Sequence, residues 1–190
     1  MIEHNYQTIE GWFNMEKQYL ELLENTPEGG IFVELGAYKG KSTSFIVTEM
    51  INRNRNIKFY TIDTFQGDSG STDKKEVEAY KKVNVSKMLD EFIENTKHLP
   101  EKLNVLINNS DLCAKMFEDN SVDTIFIDAG HSYEAVLADL KAWYPKMKNG
   151  STMAGHDYNS WEGVKKAVLE FFGKEPDKVE NDCWFIKIEK

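Results

Sequence analysis

The strongest constraint on the fold of this chain is a regular alternation between short strand-like runs and longer stretches in which apolar residues recur at helical spacing. Five runs have the length of buried strands: Ile31–Leu35, Ile57–Ile62, Leu103–Ile107, Val122–Ile127 and Gly150–Ala154. Strands that alternate with helices form a parallel, doubly wound sheet with right-handed crossovers. Residues 178–180 and Cys183–Ile188 follow in close succession. A short link cannot make a parallel crossover, so these last two strands are predicted to form an antiparallel hairpin.

The segment before the first strand, residues 1–29, is predicted to be helical. Apolar residues recur in it at helical spacing: Ile9, Trp12, Phe13, Tyr19, Leu20 and Leu23. This helix either packs on the sheet as core or folds over the ligand crevice as a lid, and Tyr6 and Trp12 are best placed to reach a ligand. Residues 30–190 form the main domain. Within it, residues 64–73 are rich in turn residues and are predicted to be a mobile loop.

The loop after the first strand has the composition of a ligand-binding turn. Gly36 and Gly40 bracket it, Ala37 follows the first glycine, and Ser42 opens the next helix. Glycine lets the backbone approach a ligand, and ligands bind at the carboxyl edge of a doubly wound sheet. The spacing does not match the Gly-x-Gly-x-x-Gly fingerprint of a pyrophosphate site. S-adenosylmethionine carries no phosphate and tolerates the acidic Glu34 nearby, so the loop favours this cofactor, with a plain tight turn as the alternative.

Polar residues at the ends of the second and third strands extend this crevice. Asp63 ends the second strand and is predicted to accept hydrogen bonds from ribose hydroxyls, as the acidic residue of dinucleotide folds does. The alternative is an aspartate that starts a turn. Asn109 and Ser110 follow the third strand on the predicted adenine side. A helix cap by Ser110 or Asp111 is the competing interpretation.

The composition argues against several classes of partner. The 190 residues carry a formal net charge of −9, which disfavours binding to nucleic acid or to anionic membranes. A local basic patch would be an exception. Two cysteines are too few for a disulfide framework or a cysteine-rich zinc site. The sequence shows neither a signal peptide nor a long apolar run, so a cytoplasmic location is expected.

Residues 30–190 resemble a class I S-adenosylmethionine-dependent methyltransferase. The motifs that carry the resemblance are Val33–Gly40, Tyr60–Asp63, Ile125–His131 and the terminal hairpin. Ile127–Glu134, followed by Trp143 and then Gly155–Asp157, is similar to the small-molecule O-methyltransferase branch that includes macrocin and catechol O-methyltransferases. The resemblance implies a single α/β domain with a doubly wound, mostly parallel seven-stranded sheet and an antiparallel final strand. Two departures are the missing middle glycine of the loop and His156-Asp157 in place of the catechol enzymes' Asp-Asn.

Acidic and imidazole side chains follow the fourth and fifth strands, which should be neighbours. In the resembling family, carboxylates at these positions hold a divalent metal such as Mg²⁺ that orients a substrate hydroxyl and lowers its pKa. This implies Asp128 and Asp157 as metal ligands, with His156 as a third ligand or as a partner of a carboxylate. Asp128 is also a candidate for cofactor contact, and its alternative role is capping of the helix that begins near Ser132.

His131 is the candidate general base. Its ordinary pKa of about 6.5 suits proton removal from a hydroxyl at neutral pH. The Asp128-x-x-His131 spacing favours one shared catalytic crevice, while a helix cap or a surface histidine is the alternative.

These residues together predict an S-adenosylmethionine-dependent methyltransferase that acts on a hydroxyl of a small acceptor, with or without a divalent cation. The acceptor pocket would come from the N-terminal helix, residues 64–73 and the segment after Asp157, including Tyr158 and Trp161, although Trp161 could equally pack in the core. A homodimer is an open expectation. The alternatives are a non-catalytic nucleotide-binding module and a nicotinamide-dependent oxidoreductase.

Overall fold

The structure is a computed structural model, and it describes residues 1–67, 84–99 and 102–190. Its α-helices are α1 (Glu16–Asn25), α2 (Lys41–Asn52), α3 (Val85–Thr96), α4 (Ser110–Ala114), α5 (Tyr133–Trp143) and α6 (Glu162–Phe172). Its strands are β1 (Ile31–Leu35), β2 (Lys58–Asp63), β3 (Leu103–Ile107), β4 (Val122–Ile127), β5 (Met147–Gly155), β6 (Lys178–Glu180) and β7 (Cys183–Lys187). Short 3₁₀ turns lie at Tyr6–Thr8 and Tyr144–Lys146. Among the described helices, none is both long enough and apolar enough to cross a membrane.

The strands form one seven-stranded sheet in the order β3-β2-β1-β4-β5-β7-β6. The first five strands of this order pair in parallel, and β7 runs antiparallel to both β5 and β6. The predicted fold, including the closing hairpin, is therefore confirmed. The chain winds outward in one direction from β1 and in the other from β4, so the ligand crevice of such a sheet lies between these two strands. Leu35 pairs with Ile127 there, which brings the loops after β1 and β4 side by side.

Both faces of the sheet are buried, as continuously apolar strands predict. In β4, Ile125 and Ile127 belong to the core on one face, where α5 contributes Trp143. The intervening Phe126 belongs to the core on the other face, where α1 contributes Tyr19. Each large apolar side chain buried in this way contributes roughly 1.5–3 kcal/mol. The two cores hold the carboxyl ends of the central strands in fixed positions.

The N-terminal segment differs from the predicted single helix. The helix predicted from Ile9 onward begins only at Glu16, and Gly11 has a φ of +137°, which is outside the helical region. Tyr19, Leu22 and Leu23 of α1 are buried, so α1 is part of the core. The division of the chain at residue 30 stays a prediction. Of the predicted mobile loop, residues 68–73 lie outside the described residues.

Candidate active site

The loop after β1 lies directly against the exit of β4. Gly36 has a φ of +89°, and a Cβ at this position would lie 1.9 Å from the carbonyl oxygen of Asp128. Only glycine allows this approach. Gly40, with a φ of +86°, likewise packs against α3, where its Cβ would lie 2.9 Å from a Thr96 methyl group. Both predicted loop glycines are thus required by backbone geometry and close packing, independently of any ligand.

Asp63, at the end of β2, organises this loop. Its Oδ2 accepts hydrogen bonds from the backbone N–H groups of Ala37 at 2.8 Å and Tyr38 at 2.9 Å. Its Oδ1 accepts from the backbone N–H of Phe65 at 2.7 Å. An ionised carboxylate has about four lone-pair sites, two on each oxygen, so Oδ2 is filled and Oδ1 keeps capacity for one further donor. The contact of Asp63 with ribose stays a prediction. The structure shows a second role, since Asp63 holds the backbone of the loop after β1 in place.

Glu34 lies behind the loop rather than on the crevice surface. Its side chain is 0% exposed, and it accepts hydrogen bonds from the hydroxyls of Tyr19 at 2.9 Å, Thr61 at 2.7 Å and Thr43. Burial raises its pKa, while the hydrogen bonds from Thr43, Thr61 and Ser42 oppose that shift. This ring of hydroxyl donors was not predicted from the sequence. The sequence did contain a signal for it: Glu34 lies within an apolar strand, and a carboxylate buried there requires hydrogen-bond donors around it.

Ser110, at the start of α4, forms two side-chain hydrogen bonds with residues of α5. Its hydroxyl donates to Asp139 Oδ1 at 2.5 Å and accepts the indole N–H of Trp143 at 2.9 Å. Burial raises the pKa of Asp139 to about 6, and the Ser110 hydrogen bond opposes that shift. Asn109 precedes α4 without a side-chain capping bond. The Ser110 hydroxyl thus joins α4 to α5, and contact of Asn109 or Ser110 with adenine stays a prediction.

Asp128, His131, His156 and Asp157 come together where β4 and β5 end, and we call them the carboxylate–imidazole cluster. Nε2 of His131 lies 2.9 Å from Oδ2 of Asp157. Nδ1 of His156 lies 3.4 Å from the same oxygen and 3.8 Å from Oδ1 of Asp128. The neighbouring parallel strands thus place all four candidate side chains around one point.

The electrostatics of the cluster favour a charged Asp157. Burial acts to raise its pKa, but the hydrogen bonds from His131 and His156 hold that pKa well below its usual range. Burial acts to lower the pKa of His156, and Asp157 and Asp128 together raise it above its ordinary value. Burial raises the pKa of Asp128. Asp157 also has a φ of +64°, an uncommon backbone conformation of the kind that clusters at functional sites.

The cluster has donor atoms that fit a divalent cation. Asp128, His131 and Asp157 each offer one ligand atom within 4.8 Å of the others, and His156, Asp157 and Asp182 do the same. Carboxylate oxygens suit Mg²⁺, while imidazole nitrogen suits softer ions. The structure therefore groups His131, rather than the predicted His156, with the two predicted carboxylate ligands. His156 belongs to the second group.

Trp161 and Gly163 support His131 from the start of α6. The indole of Trp161 stacks on the imidazole, with ring centroids 4.7 Å apart and 15° between the planes. A Cβ on Gly163 would lie 2.6 Å from the His131 carbonyl oxygen, so glycine lets α6 pack closely under this loop. Trp161 was predicted to line the acceptor pocket or to pack in the core, and its stack on His131 was not predicted. Nothing in the spacing of Trp161 and His131 signals it.

A sheet with this strand order and a glycine loop at its switch point defines the fold of class I S-adenosylmethionine-dependent methyltransferases. The family model described as "Methyltransferase domain" matches residues 33–158, from β1 through the cluster to Tyr158. The chain belongs to this family, and it is an S-adenosylmethionine-dependent methyltransferase. No curated protein matches the sequence.

Solved structures with the same fold include two proteins named as O-methyltransferases and one methyltransferase-like protein in complex with SAH. The O-methyltransferase NovP is 18% identical, with a TM-score of 0.72 over 92% of this chain and 79% of NovP. CalS11, a TDP-rhamnose 3'-O-methyltransferase of calicheamicin biosynthesis, is 15% identical, with a TM-score of 0.61 over 92% of this chain and 77% of CalS11. SMU.1697c from Streptococcus mutans, solved with SAH, is 12% identical, with a TM-score of 0.58 over 93% of this chain and 97% of its own. At these identities the likeness concerns the fold.

Proposed function

We propose that this protein transfers the methyl group of S-adenosylmethionine to a hydroxyl of a small-molecule acceptor, with His131 as the general base. The observation that carries the proposal is the 2.9 Å contact between His131 Nε2 and Asp157 Oδ2. This pair follows β4 and β5, and the neighbouring Asp128 backbone touches the glycine loop at Gly36. A base beside the cofactor loop is what methyl transfer to a hydroxyl requires. The names of NovP and CalS11 support oxygen as the acceptor atom.

The cofactor would bind across the carboxyl ends of β1, β2 and β3. The loop from Gly36 to Gly40 would approach it through its backbone. Asp63 would accept a ribose hydroxyl at Oδ1 while its Oδ2 holds Ala37 and Tyr38 in place. Asn109 and Ser110 would contact the adenine of the cofactor, and Asp128 would lie beside its methyl-donating end. Glu34 is fully buried, so its effect on the cofactor would pass through the half-buried Ser42 and the loop.

Asp157 would orient the base. A carboxylate can only accept, so His131 donates its Nε2 proton to Asp157, and the neutral imidazole then carries its basic lone pair on Nδ1. The acceptor hydroxyl would lose its proton to Nδ1 as its oxygen attacks the methyl carbon. The carbon–sulfur bond breaks with both electrons staying on sulfur, which yields S-adenosylhomocysteine. General-base catalysis of this kind contributes about 10²–10⁴-fold in rate.

A divalent cation is compatible with this site. Asp128 and Asp157 are the residues that would hold it, with an imidazole of His131 or His156 beside them. A bound cation would polarise the acceptor oxygen and lower the pKa of its hydroxyl. Without a bound cation, His131 would still act as the base and Asp157 would still orient it.

The acceptor would meet aromatic surface near the cofactor loop. Trp12 is 78% exposed, and its ring lies 5.9 Å from that of Tyr38 on the loop. Trp161 lies half-buried over His131. Tyr158, by contrast, is buried and donates its hydroxyl to Glu175 at 2.7 Å, so it contributes to the core rather than to an open pocket wall. The net charge of −9 favours a small acceptor over nucleic acid. A cytoplasmic location and a homodimer stay predictions from the sequence.

The test is a methyl-transfer assay with the purified protein. S-adenosylmethionine is incubated with a panel of sugars and phenols that carry free hydroxyls, and S-adenosylhomocysteine and the methylated product are measured by mass spectrometry. We expect acceptor-dependent product with the new methyl group on oxygen, and thermal stabilisation by S-adenosylhomocysteine but not by NAD. Methyl transfer to RNA alone, or only to nitrogen acceptors, would contradict the proposal.

A further inference from the structure

Trp184 lies on β7 with its indole buried against the end of β5. It pairs with Gly155 across the two antiparallel strands, and its side chain is 0% exposed. A Cβ on Gly155 would lie 2.7 Å from Trp184 Nε1 and 2.5 Å from the carbonyl oxygen of Ile127. Glycine at position 155 therefore makes room for the indole directly beneath the point where β5 continues into His156 and Asp157.

The indole N–H of Trp184 has no hydrogen-bond partner within the described part of the chain. Trp143, which is also fully buried, donates its N–H to Ser110 at 2.9 Å. Buried polar groups in native proteins are paired as a rule, either with protein atoms or with ordered water. The contrast between the two indoles points to a ligand for Trp184 that the described residues do not supply.

A cavity beside this donor offers the remaining partners. It is small, with a volume of about 10 Å³, close to what one water molecule needs, and it lies between the sheet and helices α5 and α6. Its apolar walls include Ile127, Val136 and Val164, and its polar lining is the carboxylate–imidazole cluster together with Trp184. A buried water needs two to four polar partners. An N–H donor and two carboxylate acceptors border this one space.

We propose that this cavity is a binding site for a single water oxygen, held between the indole N–H of Trp184 and the carboxylate–imidazole cluster. Water accepts one hydrogen bond from the indole and donates its own hydrogens to the carboxylates of Asp128 and Asp157. An anion would be repelled by those carboxylates, and a cation cannot accept a hydrogen bond from the indole N–H, so a neutral water oxygen suits the indole best. The site does not depend on the proposed reaction, because it follows from the pairing of buried groups alone.

The water has two chemical sources that an experiment separates. A water resident in the protein would be present whether or not a divalent cation occupies the cluster. A water that belongs to the shell of a bound cation would be present only with that cation. Both sources use the same indole donor and the same cavity.

The test is a pair of high-resolution crystal structures of the full chain, one grown with EDTA and one with Mg²⁺. We expect an ordered oxygen about 2.7–3.2 Å from Trp184 Nε1 and within hydrogen-bond distance of Asp128 or Asp157. Its presence in both crystals assigns a resident water, and its presence with Mg²⁺ alone assigns a water of the cation's shell. Absence of the oxygen from both crystals would overturn the proposal.

Substitutions test the role of the indole itself. Trp184→Phe removes the N–H while keeping an aromatic ring, and we expect the oxygen to be lost. Trp143→Phe is the matched control, since it also replaces a fully buried tryptophan but should leave this oxygen in place. Val164→Ile adds a methyl group to the cavity wall, so it should displace the oxygen even if Trp184→Phe does not fold. An oxygen that stays in position in Trp184→Phe would refute the indole as its donor.

Discussion

The imidazole of His131 lies parallel to the indole of Trp161, with ring centroids 4.7 Å apart. His131 bonds Asp157 through Nε2 at 2.9 Å, and the backbone N–H of Trp161 donates to the carbonyl oxygen of Asp157 at 3.1 Å. The three residues therefore hold one another in place: Asp157 fixes the edge of the imidazole, and Trp161 fixes its plane. This arrangement restricts His131 to one orientation at the end of β4.

Loss of the stack should slow the reaction without weakening cofactor binding. Aromatic pairs contribute about 0.5–1.5 kcal/mol, so Trp161→Leu should lower kcat roughly twofold to tenfold. Trp161→Phe keeps a ring over the imidazole and should recover most of the rate. Steady-state kinetics and S-adenosylhomocysteine titration measure the two effects. Equal kcat values in the Leu variant and the unmodified enzyme would contradict a positioning role for Trp161.

Removal of the base should have a larger effect on the rate. His131→Ala should lower kcat by about 10²–10⁴-fold, because the acceptor hydroxyl loses its proton acceptor. The affinity for S-adenosylhomocysteine, measured by calorimetry, should not change. An assay in excess chelator accompanies this variant. Activity that is lost with chelator and restored by Mg²⁺ would assign a cation to the cluster, whereas full activity of His131→Ala would refute the general base.

Asp63 should be required for cofactor affinity. Asp63→Ala leaves the backbone N–H groups of Ala37 and Tyr38 without their acceptor, and hydrogen bonds to an ionised group contribute about 1.5–3 kcal/mol. The Kd for S-adenosylhomocysteine should therefore rise about tenfold or more. Asp119→Ala removes a carboxylate that pairs with Lys146 at 2.6 Å and serves as the control. The same Kd in both variants would remove Asp63 from the cofactor site.

Gly36 should tolerate no side chain. Gly36→Ala would place a Cβ 1.9 Å from the Asp128 carbonyl oxygen, whereas Gly150 has a similar φ of +77° with nothing within 4 Å. Gly150→Ala should therefore show only the backbone penalty of about 1–2 kcal/mol. Gly36→Ala should lower the free energy of unfolding further and abolish stabilisation by S-adenosylhomocysteine. Urea unfolding measures both, and equal losses in the two variants would show that the collision is relieved elsewhere.

Asp139 should make the stability of the protein depend on pH. Its folded-state pKa is raised to about 6 by burial, from an ordinary value of 3.8. The unfolded chain then releases this proton at lower pH than the folded protein, so the contribution to stability is complete below about pH 4 and declines as the pH rises to about 6. The expected loss is on the order of 2–3 kcal/mol.

Asp139→Asn should remove this dependence while its amide oxygen still accepts from Ser110. Urea unfolding between pH 4 and about 7 compares the two proteins. The free energy of unfolding of the unmodified protein should fall relative to that of the variant across this range. Parallel pH profiles would show that Asp139 ionises normally in the folded state.

Local patterns in the sequence were sufficient to predict the order of strands and helices and the type of sheet. The boundaries of β1, β3 and β4 agree with those predicted, and the hairpin of β6 and β7 follows from the short link between them. Strand and helix periods depend on neighbours within a few residues, which the sequence displays directly. The meeting of Asp128 with Asp157 also follows, because consecutive parallel strands in such a fold share a carboxyl edge. The N-terminal helix was predicted too long because apolar spacing continued through Gly11, whose backbone conformation is not helical.

The pairing of side chains was decided only by the tertiary structure. The sequence does not indicate that Glu34 lies among hydroxyls of α1, α2 and β2, or that Ser110 bonds Asp139 rather than capping α4. It also does not indicate that His131 joins Asp157 while stacking on Trp161. Such contacts join residues far apart in the chain, and they depend on strand register and on how closely helices pack. The sequence by itself thus determined which elements form and which edge of the sheet carries the chemistry, and packing determined which atoms meet there.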